Sequence, residues 1–207
     1  MIEALLLKAV RPASDKLVDY ALTEPAGNTA LKDQGQLRLN LSPVAAGSTA
    51  AVYDHPTFGK CIQCNGTAGL ATATTDFGGR TVYSVNFDYM VTSRSNAVLI
   101  THVSWYSGGA SFGIMALTDG RLQLYFNGGQ RIYSTAIALN VATNVRIVVN
   151  GNAISLYVNG TLAGTYTGSA RTEPSYRIGI GSAYEDSNGA FYGYIKNIWI
   201  KEGIVLP

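Results

Sequence analysis

The chain is poor in charge. Only 14% of its 207 residues are Asp, Glu, Lys or Arg, and the net charge is +2, where an average globular domain carries about 25% charged residues. No run of Lys or Arg occurs, so the basic stripe that draws nucleic acid is missing and no such partner is expected. No apolar run approaches the roughly 18 residues that cross a bilayer, so no membrane span is expected either. The first residues, MIEALLLKAVRP, have no basic n-region and no A-x-A cleavage site, and they do not read as a signal peptide. Cysteine is scarce as well: Cys61 and Cys64 stand alone. On an extended segment their spacing puts them on opposite faces, which argues against a mutual disulfide. No second Cys/His pair completes a zinc site, and no βαβ pattern suggests redox chemistry. Two packed free thiols suit a protein made in a reducing cytosol.

Catalytic groups are equally thin. Cleaving a glycosidic bond takes two carboxyl groups about 5 to 9.5 Å apart. The glutamates, Glu3, Glu24, Glu173, Glu185 and Glu202, fall at the ends or in expected loops, and no Glu-x-Asp occurs. Glu185-Asp186 is an adjacent acidic pair that includes a glutamate, and adjacent residues diverge on an extended strand. The histidines are His55, before a proline in an expected loop, and His102, on an expected central strand where it reads as a core or concave-face residue. Neither has a nucleophile and an orienting partner in view. The expected class is therefore not an enzyme.

What the chain has in quantity is glycine, 23 residues, and tyrosine, 13 residues, within a 47% hydrophobic composition. These suit many strands joined by tight turns. Asn144 to Tyr166, NVRIVVNGNAISLYVNGTLAGTY, shows the pattern most clearly. Val145, Ile147 and Val149 alternate with other residues, as do Ile154, Leu156 and Val158, and Asn150-Gly151 and Asn159-Gly160 supply turn chemistry. The segment reads as a three-strand antiparallel meander. Tyr83, Val85, Phe87, Tyr89 and Val91 alternate with Ser84, Asn86 and Asp88 on another strand. Leu37, Leu39 and Leu41 predict a half-buried strand, with loops on either side at Thr23 to Gly35 and Ser42 to Ser48. Ala97 to Tyr106, apolar on both faces, predicts a central strand. In Phe191 to Lys201 the apolar parity switches between Ile195 and Ile198, which predicts a β-bulge at Lys196-Asn197. With about a dozen such strands and no helix-length amphipathic segment after residue 14, the fold class is all-β, a two-sheet antiparallel β-sandwich. Residues 1–14 read as an N-terminal arm or edge strand, and residues 15–207 as one sandwich domain.

Three passages carry a resemblance. Leu17 to Gly35 looks like the opening of the concanavalin A-like lectin/glucanase superfamily in its laminin-G-like and pentraxin-like branch, an alternating strand followed by an acidic-Gly loop. Ile154 to Gly160, ISLYVNG, resembles its repeated hairpin. Tyr176 to Ile200 resembles its closing element, an I-G strand and a variable loop before F-x-G-x-I-x-x-[VI]-x-I. The resemblance implies a jelly roll, in a family of sugar-binding lectins, glycosidases, calcium-dependent binders and adhesion modules. The glycosidases carry E-x-D-x-x-E on one strand, which this chain lacks.

Sugars present an apolar C–H face and directional hydroxyls, so they are held by aromatic rings with Asn, Asp or Gly partners. Two stretches have that mixture: Trp105 and Tyr106, before Ser107-Gly108-Gly109, and Tyr184, Glu185, Asp186 and Asn188 in the last long loop. Tyr125 and Asn127 lie on an outward face and extend a concave platform. Trp105 shares parity with Leu99 and Val103, which equally suits the core. No cofactor is expected. Calcium is the one candidate, with Glu185, Asp186 and Asn188 as oxygen ligands, although a calcium loop of the D-x-[DN]-x-[DN]-G type is absent. The sequons at Asn40, Asn65 and Asn159 are expected to be unmodified. The expected function is a non-enzymatic carbohydrate-binding or adhesion module on a phage virion surface or tail, contacting cell-surface polysaccharide. Two alternatives stand beside it: a structural decoration or assembly protein of a virion, and an atypical glycosidase. Met1 to Val10 and an outward Trp199 are the expected contacts to other virion subunits.

Overall fold

A computed structural model of the chain describes residues 15–36, 39–43, 48–67, 69–72, 80–104, 109–126, 130–168, 178–181 and 191–207. Strands form where period-two alternation meets turn residues. In chain order they are β1 (Val18–Tyr20), β2 (Ser42–Pro43), β3 (Ala51–His55), β4 (Gly59–Asn65), β5 (Leu70–Ala71), β6 (Val82–Val91), β7 (Ala97–Ser104), β8 (Gly109–Ala116), β9 (Arg121–Phe126), β10 (Gln130–Ala136), β11 (Thr143–Asn150), β12 (Ala153–Val158), β13 (Thr161–Thr167), β14 (Ile178–Ile180) and β15 (Tyr192–Glu202). They make two antiparallel sheets. One has eight strands, in the order β13-β12-β11-β6-β15-β4-β3 with β1 also paired to β15. The other has seven, in the order β10-β9-β8-β7-β14-β5-β2. Among the described residues no helix is long and apolar enough to cross a membrane.

The core lies between the sheets, and the register shows how it is filled. Across the seven-stranded sheet, Ile132, Leu124, Ile114, Ile100, Ile180 and Leu70 stand side by side in successive pairings. Facing them from the eight-stranded sheet are Val85, Phe87, Tyr89, Val145, Ile147, Leu156 and Ile195, all buried in the same cluster. Ser84, Asn86 and Asp88 take the opposite face of β6, as alternation requires.

The meander Asn144 to Tyr166 is β11, β12 and β13. Val158 pairs with Thr161, leaving Asn159 (φ 48°) and Gly160 (φ 78°) as a two-residue turn with both residues left-handed, the form that matches strand twist. The first turn is one residue later than the sequence suggests. Asn150 still pairs with Ala153, so the loop is Gly151-Asn152. The bulge expected at Lys196-Asn197 is present: the β15–β6 register shifts between Lys196 and Trp199. Asn197 takes up the slack at φ 52°, a conformation that asparagine tolerates better than most residues. Ile195, Ile198 and Ile200 all stay buried as a result.

The strand expected from Leu37 to Leu41 is not formed. Residues 37–38 lie outside the described residues, and Leu39 and Asn40 belong to no strand. The reason is a buried carboxylate. Asp33 accepts the backbone N–H groups of Asp19 (2.8 Å), Gly35 (2.7 Å) and Leu39 (2.7 Å). The Leu39 carbonyl accepts the Tyr20 hydroxyl at 2.6 Å. With both backbone groups of Leu39 taken, Leu41 makes only an isolated bridge to Leu31. Ser42–Pro43, expected as loop, pairs instead with β5 at the sheet edge, where proline is tolerated.

The cysteines are free and face opposite ways. Cys61 packs outside the eight-stranded sheet with Phe58 and Met90, while Cys64 sits in the main core. Burial pushes the Cys61 thiol up to about 11 and the Cys64 thiol up to about 12, so both stay protonated and unreactive near neutral pH.

Candidate functional site

Residues paired across neighbouring strands point to the same side of a sheet. On the outer face of the seven-stranded sheet this builds a row: Arg131 pairs with Tyr125, Tyr125 with Gly113, Gly113 with Thr101, Thr101 with Gly179, and Gly179 with Ala71. The row starts at an exposed Arg131 and a half-buried Tyr125. It runs to a floor of small residues, with Thr101 only 2% exposed. A second row runs beside it through Tyr133, Gln123, Met115 and Val98. Tyr133 is 38% exposed.

Two guanidinium groups lie over these rings. Arg131 is 5.9 Å from the Tyr125 centroid, and Arg121 is 4.8 Å from that of Tyr133. Such contacts hold a ring's orientation with about 0.5–1 kcal/mol at exposed sites. Arg121 also donates to Asp119 at 2.7 Å, and hydrogen bonds from Arg121 hold that carboxyl below the usual range. A bulge between Tyr133 and Ala136 helps aim the edge. There Ser134 Oγ accepts the Leu122 N–H at 2.9 Å. The face thus offers rings with guanidinium and amide donors at its β9–β10 edge, beside a row of small residues that are themselves buried. This is chemistry for holding a polar ring-shaped ligand by its apolar face and its hydroxyls.

Tyr125 stands on the outer face, where the sequence placed it. Trp105, Tyr106, Asn127, Tyr184, Glu185, Asp186 and Asn188 lie outside the described residues. The strand ends that flank them can be compared. Ser104 pairs with Gly109, and Phe126 with Gln130, at the end where β7 finishes. Gly181, by contrast, donates to the Leu99 carbonyl and accepts from Phe191, toward the end where β7 begins. The described residues that flank the two sequence-predicted stretches therefore stand at opposite ends of the sheet. The β7–β8 register shifts twice, with the extra residue in β7 between Val98 and Ile100 and in β8 between Ala110 and Phe112. Arg131, Tyr133, Gln123 and Thr101 were missed from sequence. Arg131 and Tyr133 share parity in the segment after Asn127-Gly128-Gly129, and that was the available signal.

The histidines have structural places. His102 faces inward, stacked on Phe112 at 6.1 Å, and burial pushes its pKa down to about 3. It is a neutral core residue. His55 closes the β3–β4 hairpin, its Nδ1 accepting the N–H of Phe58 at 3.0 Å and of Thr57 at 3.3 Å. Among the described residues no three His, Cys, Asp or Glu side chains gather as metal ligands, and the calcium candidates Glu185, Asp186 and Asn188 are not among those residues. Trp199 does face outward, where the Arg146 guanidinium covers it at 5.3 Å. Met1 to Val10 lies outside the described residues.

Two antiparallel sheets with a ring-bearing outer face define a lectin-like sandwich. The chain belongs to the concanavalin A-like lectin/glucanases superfamily: a laminin G model of that superfamily matches residues 65–203, about two thirds of the chain. No curated protein matches the chain in sequence. Solved structures share the fold. A sialidase from Trypanosoma rangeli, in complex with sialic acid, superposes with a TM-score of 0.71 at 9% identity, over 94% of this chain and 32% of its own. Domain 4 of an extracellular GH43 arabinanase from Geobacillus stearothermophilus, in complex with arabinotriose, gives 0.66 at 17% identity, over 91% of this chain and 92% of its own. The receptor-binding domain of botulinum neurotoxin type G gives 0.66 at 12% identity, over 93% and 49%. The chain thus spans about a third of the sialidase and half of the toxin domain.

Proposed function

We propose that the chain is a non-enzymatic carbohydrate-binding and adhesion module, displayed on a phage surface or tail and contacting host-surface glycans. One observation carries the binding: the row of Arg131, Tyr125, Gly113 and Thr101, which sets a ring and a guanidinium beside a floor without bulky side chains. The sugar complexes of the sialidase and of the arabinanase domain support the ligand class. The non-enzymatic reading is supported by how described carboxylates are used. Glu24 accepts the Lys32 N–H at 2.7 Å, Asp33 accepts three N–H groups, and Asp88 accepts an Asn144 amide at 2.7 Å, so each serves the fold. The particle location rests on two unbridged buried thiols, which fit synthesis in a reducing cytosol. Each site binds weakly, and many copies raise the effective concentration.

Glycan-array binding tests this. Wild-type chain binds a defined set of glycans, and Tyr125→Ala and Arg131→Ala lower that binding while circular dichroism stays unchanged. Trp105→Ala and Tyr184→Ala extend the test to the remaining candidates. Binding to no glycan, or binding indifferent to all four changes, rejects the reading. Oligosaccharide hydrolysis lost in Glu185→Gln rejects the non-enzymatic part. An assembly role is the second reading, and a cleft of about 620 Å³ between β10 and β13 favours it. Val141 and Leu162, both exposed, line that cleft.

A further inference from the structure

A second group of rings lies on the other sheet. On the outer face of the eight-stranded sheet, Tyr53 stacks on Tyr194 at 5.8 Å with 25° between the ring planes. His55 meets Tyr194 edge-on at 4.5 Å. Beneath them Phe58, Cys61 and Met90 form a small buried cluster that Tyr194 covers. That base explains Tyr194. It does not explain Tyr53 or Tyr192, which remain 37% and 44% exposed.

The polar groups around these rings are arranged in register. Tyr194 pairs with Gln63 and Tyr192 with Asn65, so each ring has a side-chain amide beside it on the same face. His55 Nδ1 accepts two backbone N–H groups, which leaves the ring proton on Nε2 as an unused donor. Among the described residues the hydroxyls of Tyr53, Tyr192 and Tyr194 make no hydrogen bond. Gly66 (φ +72°) lies under Tyr192, where a Cβ would fall 1.8 Å from a ring carbon. The glycine therefore lets the far end of the ring close over the chain at residue 66. Flat rings, each beside an amide and ringed by unused donors, match the apolar face and the hydroxyls of a saccharide.

We infer that Tyr53, His55, Tyr192 and Tyr194 form a second saccharide site, so that one chain holds two glycans on opposite faces of the sandwich. The inference takes its ligand class from the carbohydrate-binding reading but uses a different face. A monomeric chain with two such sites joins two glycan-bearing surfaces, and it gains avidity wherever both are engaged.

The test uses beads coated with neutral hexose and pentose oligosaccharides, with the chain confirmed monomeric by light scattering. Wild-type chain binds and cross-links the beads. Tyr53→Ala/Tyr192→Ala still binds through the Tyr125 face but no longer cross-links, and its apparent affinity falls roughly tenfold. Gly66→Ala, which keeps every ring but displaces Tyr192, lowers cross-linking in the same direction. Unchanged cross-linking by the folded double variant overturns the inference. So does a wild-type dimer that the double variant abolishes in sugar-free solution, because the platform is then a contact between copies. If Tyr125→Ala alone removes all binding, the second site is absent while the proposed function stands. If Tyr125→Ala changes nothing and the double variant removes all binding, the platform is confirmed and the Tyr125 face is rejected. If the beads bind no wild-type chain, the inference is rejected.

Discussion

On the outer face of the seven-stranded sheet, the middle positions are Gly113, Thr101 and Gly179, and the rings stand toward the β9–β10 edge. On the eight-stranded sheet the middle positions are Asn86, Asp88, Asn144 and Arg146, and they are bonded to one another. Asn86 Oδ1 accepts from Arg146 Nε at 3.2 Å and from Asn144 at 3.2 Å. Its amide donates to the Asn197 carbonyl at 3.2 Å, and Asn197 donates to Asp88. The C-terminal segment lies over this network: Arg146 donates to the Leu206 carbonyl at 2.6 Å, and Ser84 Oγ accepts the Val205 N–H at 2.8 Å. Both faces come from the same period-two alternation. They differ in what the outward positions are used for. One sheet has small, buried residues at its middle with rings at the edge, whereas on the other mutually bonded polar residues use up their own hydrogen-bonding capacity.

The largest effect that sharpens this contrast comes from beneath the open face. His102 has an ordinary pKa of 6.5 and a folded value pushed down to about 3 by burial. Between those values the unfolded chain binds a proton that the native chain does not, so stability is complete above pH 6.5 and falls as the pH drops toward 3. The full loss is on the order of several kcal/mol. Urea titrations across that window will show the decline, and His102→Phe flattens it. A native chain equally stable at pH 6.5 and pH 4 contradicts this account.

Breaking the stitched face comes next. Asn86→Ala removes the shared acceptor of Arg146 and Asn144 and costs about 1–3 kcal/mol of unfolding free energy. The glycan binding proposed for the Tyr125 face is expected to stay intact. A variant that loses binding but not stability would mean the two faces have been assigned the wrong way round.

The smallest effect belongs to the exposed pair at the rim. Arg121 and Asp119 are both well exposed, so Asp119→Asn shifts thermal stability by no more than about 0.5 kcal/mol. A larger loss would show that the β8–β9 turn depends on the carboxylate, whose Oδ1 also accepts the Arg121 N–H at 3.0 Å.

Much of the scaffold was legible in the chain. The strict alternation from Tyr83 to Val91 became β6, and the parity switch between Ile195 and Ile198 marks the bulge that β15 makes against β6. Local patterns are readable because the residues that decide them are adjacent. Leu37 to Leu41 misled for the opposite reason: the alternation was there, but side chains outside the segment, the Asp33 carboxylate in the preceding loop and the Tyr20 hydroxyl on β1, took the backbone groups of Leu39. The candidate site was less legible for the same cause. Tyr125 was found because its outward position shows within β9. Its neighbours Gly113, Thr101 and Gly179 join it only through the register of three other strands. The Tyr53 platform needed β3, β4 and β15 to meet, and His55 before Pro56 had read as an ordinary loop histidine.

The C-terminal segment has a practical consequence for orientation. It crosses the eight-stranded sheet from Gly203, bonded to Val82 and Ser84, to Pro207 beside Gly160 at the β12–β13 turn. A chain tethered through Pro207 to a sensor chip or a larger assembly is anchored on that side, with the Tyr125 face turned away from the support and toward the solution. Tethering on the seven-stranded sheet does the reverse. Two immobilised preparations of the same sequence will then report different glycan capture, and the difference measures how much of the capture runs through the Tyr125 face.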